Sequence, residues 1–301
     1  MPRQNAAIGG PEATIAPFNS TKAVSSVRKH RRDIDGLRAI AVLAIVVFHA
    51  FPEALPGGFI GVDIFIVISG YLISSIVLPS LTAETFSFID FYARRVRRIF
   101  PALAVALLTC GIVGWFVLFE DEYRQLAKHS LGAAFFVSNF MFWGESGYFD
   151  QSADSKVLLH LWSLGIEEQF YIIYPLLLYT AWRFKIQPIV TIALLAAISF
   201  GLNIVSMTRS PAADFFLPQN RAWELMIGSF LAALEIRCGR ATLDRPMGRF
   251  IISGIGAALM LSGFVSINRS EVFPGWNALL PTVGTTLLIA AGPTSTLNRI
   301  L

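Results

Sequence analysis

The chain has 301 residues, of which 54% are hydrophobic and only 15% charged, with a mean hydropathy of +0.61. A soluble domain carries roughly 25% charge, so this composition excludes one. The net charge of +4 and a pI near 9.2 do not indicate nucleic acid, because the basic residues sit between apolar blocks and no aromatic-interleaved basic surface accompanies them.

Residues 1–32 are polar, rich in Ala, Pro, Ser and Thr, and end in the run Arg28, Lys29, His30, Arg31, Arg32. They hold no apolar core of the kind a cleaved signal peptide needs, so they read as a disordered cytoplasmic tail. Residues 33–301 read as one transmembrane domain. Its apolar blocks lie at 36–51, 59–79, 99–119, 127–143, 158–182, 187–206, 220–236, 249–267 and 276–293. Each approaches the roughly 20 residues a crossing helix needs. None shows the alternation of barrel strands, so the fold class is an all-α polytopic bundle. No internal repeat is visible.

Topology follows the basic loops. The tail is inside, and Arg94, Arg95, Arg97 and Arg98 return inside after two spans. The loop with Arg183 and Lys185, and that with Arg237, Arg240, Arg245 and Arg249, fall inside only if block 127–143 dips in and returns. Eight spans plus one re-entrant segment is therefore the favoured reading, with nine spans as the alternative. The two cysteines, Cys110 and Cys238, lack the spacing of a disulfide framework or a zinc site, and no metal is expected.

Ionisable groups inside membrane helices are costly and mark function by default. Arg38 and His49 are eleven positions apart on one helix, which is close to three turns. They share a face and are separated by about 16 Å. The turn FPEALPGG then brings Asp63 to a depth similar to that of His49, where a carboxylate would fix the imidazole tautomer. The bland alternative has Asp63 capping its helix or pairing an arginine. His160, Ser163, Glu167 and Tyr171 form a polar stripe on an otherwise apolar helix. Arg221 and Glu224 have the spacing of an intrahelical ion pair. The arginine tetrad followed by Pro101 reads either as a topology signal against anionic lipid or as a phosphate clamp.

These strings together resemble the acyltransferase-3 family of bacterial membrane O-acyltransferases. Asp33-Ile-Asp-Gly-Leu-Arg38 with His49 is similar to the family's Arg-x10-His signature. The run from Gly57 to Leu72, the arginine segment Phe91–Pro101, the string HLWSLGIEEQFY from His160 to Tyr171, RAWEL from Arg221, and PGWNALLP from Pro274 follow in family order. The resemblance implies transfer of an acyl group, usually acetyl, from cytoplasmic acyl-CoA to a hydroxyl of a cell-envelope glycan or lipid-linked sugar at the bacterial inner membrane. It implies His49 as the catalytic residue, acting as general base or through an acyl-histidine, with Asp63 or Glu167 orienting it. Arg38, Arg94, Arg95, Arg97 and Arg98 would meet the donor. His160, Ser163, Tyr171, Arg221, Glu224 and Asn277 would meet the acceptor. Family members usually continue into further helices and a Tyr-x-Leu-Tyr-x-Trp-His-x-Pro-like string, so an incomplete domain is expected. The rival class is a secondary transporter with a His/Asp/Glu relay, although the inverted symmetry common in such proteins is not apparent.

Overall fold

A computed structural model describes residues 31–146, 156–239, 246–268 and 271–300. The tail's residues 1–30, and Arg240 and Arg245 of the last basic loop, lie outside them. Eleven α-helices occur among the described residues: α1 (Arg32–Ala50), α2 (Gly61–Thr82), α3 (Phe88–Val117), α4 (Glu120–Ala134), α5 (Ser138–Glu145), α6 (Leu161–Arg183), α7 (Pro188–Arg209), α8 (Pro211–Phe216), α9 (Pro218–Cys238), α10 (Pro246–Ser266) and α11 (Leu279–Ala291). Four helical segments are long and apolar enough to cross a membrane: Gly58–Thr82, Phe88–Val117, Pro188–Arg209 and Pro246–Ser266.

Local chemistry sets the boundaries. Ser87 caps α3, its hydroxyl accepting the Asp90 N–H at 3.2 Å. Proline opens α7, α8 and α9, where its missing N–H costs nothing. Gly239 and Gly292, with φ of +72° and +76°, end α9 and α11. Block 99–119 is only the latter part of a 30-residue helix that begins at Phe88, so the arginine tetrad lies on α3 and not in a loop. Pro101 falls in that helix's interior.

The buried centre is α2 packed along α9. A Cβ on Gly70 would sit 1.8 Å from the Leu225 carbonyl oxygen, and one on Gly228 would sit 2.0 Å from that of Val67. Backbones this close are the membrane solution to helix packing, where small residues replace a hydrophobic driving force. Ser229 donates to the Gly70 carbonyl at 3.1 Å, and Ser74 and Tyr174 share a hydrogen bond of 2.8 Å, tying α6 to the same centre.

Two contacts define the ends of the bundle. At one end Gly57 N–H donates to the Phe264 carbonyl, beside the close of α1 and the start of α2. At the other, Arg31 grips Asp33 with two hydrogen bonds (2.8 and 2.7 Å), Tyr71 at 3.0 Å and the Ile289 carbonyl at 2.9 Å. Tyr71 passes the link to Glu235 at 2.8 Å. By composition Arg31 belongs to the tail, yet it locks the start of α1 to α2, α9 and α11.

Helices α4 and α5 form a hairpin. The chain turns at Phe135–Val137 and comes back, so that Lys128 and His129 of α4 meet Glu145 at the end of α5 at 2.9 and 3.0 Å. The turn is held from α6, where Gln169 donates to the Phe136 carbonyl (2.6 Å) and to Asn139 (2.8 Å). Helices α3 and α7 lie at the periphery, with only 11% and 17% of their apolar windows buried.

Candidate functional site

His49 ends α1 and is exposed. Its Nδ1 lies 2.8 Å from the Ile45 carbonyl oxygen. A carbonyl only accepts, so Nδ1 carries the proton and Nε2 keeps its lone pair. His160, just before α6, lies within electrostatic range of His49. Eleven residues further along, Tyr171 lies in range of Arg38, as does Glu167. Arg38 is itself eleven residues before His49. α1 and α6 therefore run antiparallel, with the two histidines in electrostatic range at one end and Arg38 and Tyr171 in range about 16 Å further along.

The arginine tetrad meets the lower part of this seam. Arg95 stacks its guanidinium 3.9 Å from the centre of the Tyr171 ring, a strong cation–π geometry. Tyr171 donates to Glu167 at 3.3 Å, and Ser69 lies close to both. Arg98 lies in range of Arg38 and of Glu168, which is 93% buried and absent from the sequence-derived site. Arg94, Arg97 and Arg98 are exposed. The helix thus divides the tetrad, with Arg95 turned onto the seam and the other three open to the surroundings.

Asp63 does not pair with His49. It is fully buried and accepts from Arg221 at 2.6 Å, while Arg221 also binds Glu224 through Nε at 2.7 Å and Nη2 at 3.0 Å. Asp63 is turned toward Arg221 of α9 instead. Glu167 does not reach His49 either, since its hydrogen bond is from Tyr171, with Ser69, Arg38 and Arg95 in range. The orienting group on His49 is its own helix carbonyl. Rings of Trp162, Phe215 and Phe273 enclose the Arg221 guanidinium at 5.4, 5.8 and 5.7 Å.

The remaining candidates lie at the His49 end. Ser163 donates to the His160 carbonyl at 3.2 Å. Asn277 donates to Glu271 (3.0 Å) and to the Val272 carbonyl (3.3 Å). Asp214 of α8 is fully buried and accepts from Asn203 of α7 at 3.1 Å, while its second carboxylate oxygen has no hydrogen-bond partner among the described residues. It gives no spacing signal in the sequence, since its partner lies across a helix break, on a separate helix. No group of three or more metal-binding side chains occurs among the described residues.

Apolar helices facing outward around a buried polar centre define a multi-pass membrane protein. The chain belongs to the acyltransferase-3 family, whose acyltransferase domain matches residues 31–299. It is 38% identical over 206 residues to the O-acetyltransferase OatA of Staphylococcus aureus, covering 66% of this chain and 34% of OatA. It is 37% identical over 207 residues to the putative peptidoglycan O-acetyltransferase YrhL of Bacillus subtilis, covering 66% of this chain and 32% of YrhL. A Haemophilus influenzae protein named only as uncharacterized is 32% identical over 236 residues, 75% of this chain and 96% of its own length. The matches thus cover about a third of OatA and YrhL. No solved structure matches the chain. Family membership displaces the transporter alternative.

Proposed function

We propose that the chain is a membrane O-acyltransferase that moves an acetyl group from cytoplasmic acetyl-CoA to a hydroxyl of a cell-wall polysaccharide. The observation that carries this reading is the antiparallel pair of stripes, His49 with His160 above and Arg38 with Tyr171 below. It gives one polar path with cationic groups at its lower end and a free imidazole nitrogen at its upper end.

In this reading α1, α2, α3, α6, α7, α9, α10 and α11 cross the bilayer, and the α4–α5 hairpin is re-entrant. The N-terminus is cytoplasmic, and the basic stretches at Arg94–Arg98, Arg183–Lys185 and Arg237 fall on that side. The donor's phosphates meet Arg95, Arg98 and Arg38, since arginine offers a planar fork to phosphate oxygens. The extended pantetheine arm lies along the seam and delivers the thioester to His49. Nε2 takes the proton from the acceptor hydroxyl as its oxygen attacks the thioester carbonyl. The C–S bond breaks, and the same proton passes to the thiolate. An acyl-histidine route uses the same nitrogen as nucleophile. His160, Ser163 and Asn277 stand at the acceptor's end, whereas Arg221 and Glu224 act as the buried support beneath it. The acceptor is proposed from the relatives' names, OatA and YrhL.

The test is acetyl transfer in proteoliposomes loaded with acetyl-CoA. His49→Ala is expected to lower transfer by at least about 100-fold, the smaller end of what a positioned acid–base group contributes. His49→Ala with wild-type turnover would overturn the reading.

A further inference from the structure

A cavity of about 120 Å³ opens beside α4, several times the roughly 10–15 Å³ that one water needs. Leu118, Leu126 and Val157 give it an apolar wall, and Glu122, Gln125 and Lys156 bring polar groups to it. His129 completes the lining. His129 and Lys156 are both buried. Glu145 fixes both, 3.0 Å from His129 Nε2 and 3.3 Å from Lys156 Nζ. The Lys156 ammonium also lies 5.7 Å from the centre of the Phe142 ring. Glu122 is anchored as well, since its Oε2 accepts the Phe119 N–H at 2.9 Å. The polar lining is therefore set in place before anything binds, which lowers the cost of binding.

The cavity lies at the far end of α3 from its arginines. Leu118 caps that helix, and the stretch from Arg98 to Leu118 spans about 30 Å. Trp115 meets Tyr123 edge to face at 5.5 Å, and Trp115, Phe116 and Phe119 are exposed. Such rings gather at the membrane–water interface, so the mouth opens at that level. Lys156 and Val157 lead straight to the His49 end of the bundle. Leu159 N–H donates to the Lys156 carbonyl and Leu161 N–H to that of Leu158, each at 3.0 Å. From Lys156 to His160 the chain reaches at most about 14 Å, and His160 lies in electrostatic range of His49.

The lining offers donors and acceptors side by side. The Lys156 ammonium and the Gln125 amide N–H donate, while the Glu122 carboxylate and the Gln125 carbonyl accept. A bare anion would face Glu122, and a bare cation would face Lys156. A neutral acetamido group suits every wall. Its carbonyl accepts from Lys156 or Gln125, its N–H donates to Glu122, and its methyl rests on Leu118, Leu126 and Val157. We propose that this cavity is an acceptor subsite for the acetamido group of an N-acetylated amino sugar, with the sugar ring at the mouth and the glycan running toward His49. The proposal rests on the reading of the chain as a glycan O-acetyltransferase, and it narrows the acceptor to glycans that carry N-acetyl groups.

The experiment measures binding first, with the full chain in lipid nanodiscs and no acetyl-CoA. The probes are the β-1,4 disaccharide of N-acetylglucosamine and cellobiose, which has hydroxyls in place of the acetamido groups. Saturation-transfer NMR should show the acetamido methyl protons receiving the strongest transfer, and cellobiose little. Lys156→Met removes the ammonium donor at similar length, and Val157→Phe fills the cavity from a half-exposed position. Each should weaken binding of the N-acetylated disaccharide at least about tenfold, the loss expected for one hydrogen bond to a charged group. In proteoliposomes each should raise KM for an N-acetylated oligosaccharide by the same factor and leave kcat and KM for acetyl-CoA unchanged. Equal binding of the two disaccharides, binding of neither, or wild-type affinity in both variants would overturn the proposal. If Lys156→Met does not fold, Val157→Phe decides it alone. A chain that binds the N-acetylated disaccharide but transfers no acetyl group would defeat the enzymatic reading and leave the subsite standing. Transfer to cello-oligosaccharides with the same KM would do the reverse.

Discussion

Arg221 carries two carboxylates, Asp63 and Glu224, and all three side chains are at most 1% exposed. Taking charges out of water is expensive, so such a cluster survives on pairing, and removing one partner strands the rest. Arg221→Leu is therefore expected to destabilise the protein by about 3–5 kcal/mol, read as a large drop in the unfolding midpoint in detergent. Asp63→Asn keeps the shape and leaves Arg221 its Glu224 partner, so it should cost less. A result in which Asp63→Asn is the more damaging change would show that the pair is not organised around the arginine. Spacing made Arg221 and Glu224 legible as a pair in the sequence. Asp63 was misplaced for a geometric reason: counting residues from a turn gives height along a helix, but azimuth depends on which neighbour the helix packs against. Glu168 was invisible because the arginines in range of it, Arg95 and Arg98, come from α3, and Asp214 because its partner Asn203 lies on a separate helix across a break. A second residue-scale prediction concerns Glu145. Burial pushes its carboxyl up, but hydrogen bonds from Lys128 and His129 outweigh this and hold it at about 2, below the ordinary 4.5. A depressed carboxyl stabilises above its unfolded value, and that stability is lost as pH falls through the folded one. Backbone exchange in the α4–α5 hairpin should therefore rise between about pH 4.5 and 2. Glu145→Gln should flatten that dependence.

Among the elements, the α6 stripe was readable because the helical period places positions 160, 163, 167 and 171 on one face, and Tyr171 on that face meets Arg95 of α3. The limits of α3 were not readable. Its arginines and Pro101 resemble a loop followed by a helix start, yet the helix runs on through both. Proline is tolerated inside membrane helices because neighbouring groups re-satisfy the freed backbone. The contact between α2 and α9 yields a sharper prediction. Gly70→Ala would drive a methyl group into the Leu225 carbonyl, which is backbone and cannot turn away. Overpacking of this kind costs about 1–3 kcal/mol, and Gly228→Ala should behave alike against Val67. Gly111 lies on peripheral α3 with nothing within 4 Å of its added Cβ. Gly111→Ala should be neutral or slightly stabilising, because alanine is the better helix former. Equal effects at positions 70 and 111, by thermal unfolding in one detergent, would contradict the close packing at the centre.

For the molecule as a whole, the apolar blocks made the membrane class readable, and loop charge implies a topology, because bilayers constrain both. The seam was only half readable, since a stripe shows that a partner exists and not which helix supplies it. Its use for donor and acceptor arriving from opposite faces depends on α9 ending on the cytoplasmic side, and the chain carries its own reporter there. Cys238 is the last residue of α9 and is exposed, whereas Cys110 lies within α3. Cys238 follows Arg237, whose guanidinium reaches Gln187 at the start of α7 at 3.2 Å, so it marks the same face as the α6–α7 turn. In a Cys110→Ala background, a membrane-impermeant maleimide should label Cys238 in inverted vesicles and leave it untouched in intact cells. A cysteine placed at Ser146, which closes the α4–α5 hairpin, should show the opposite pattern, as should one at Phe119, which precedes α4. Eight crossings with a re-entrant hairpin require positions 119 and 146 to share a face, opposite to Cys238. Nine crossings would put 119 and 146 on different faces. Labelling of both by the external reagent, with Cys238 protected, would exclude nine crossings and fit the eight-crossing arrangement, which lets donor and acceptor reach the seam from opposite faces.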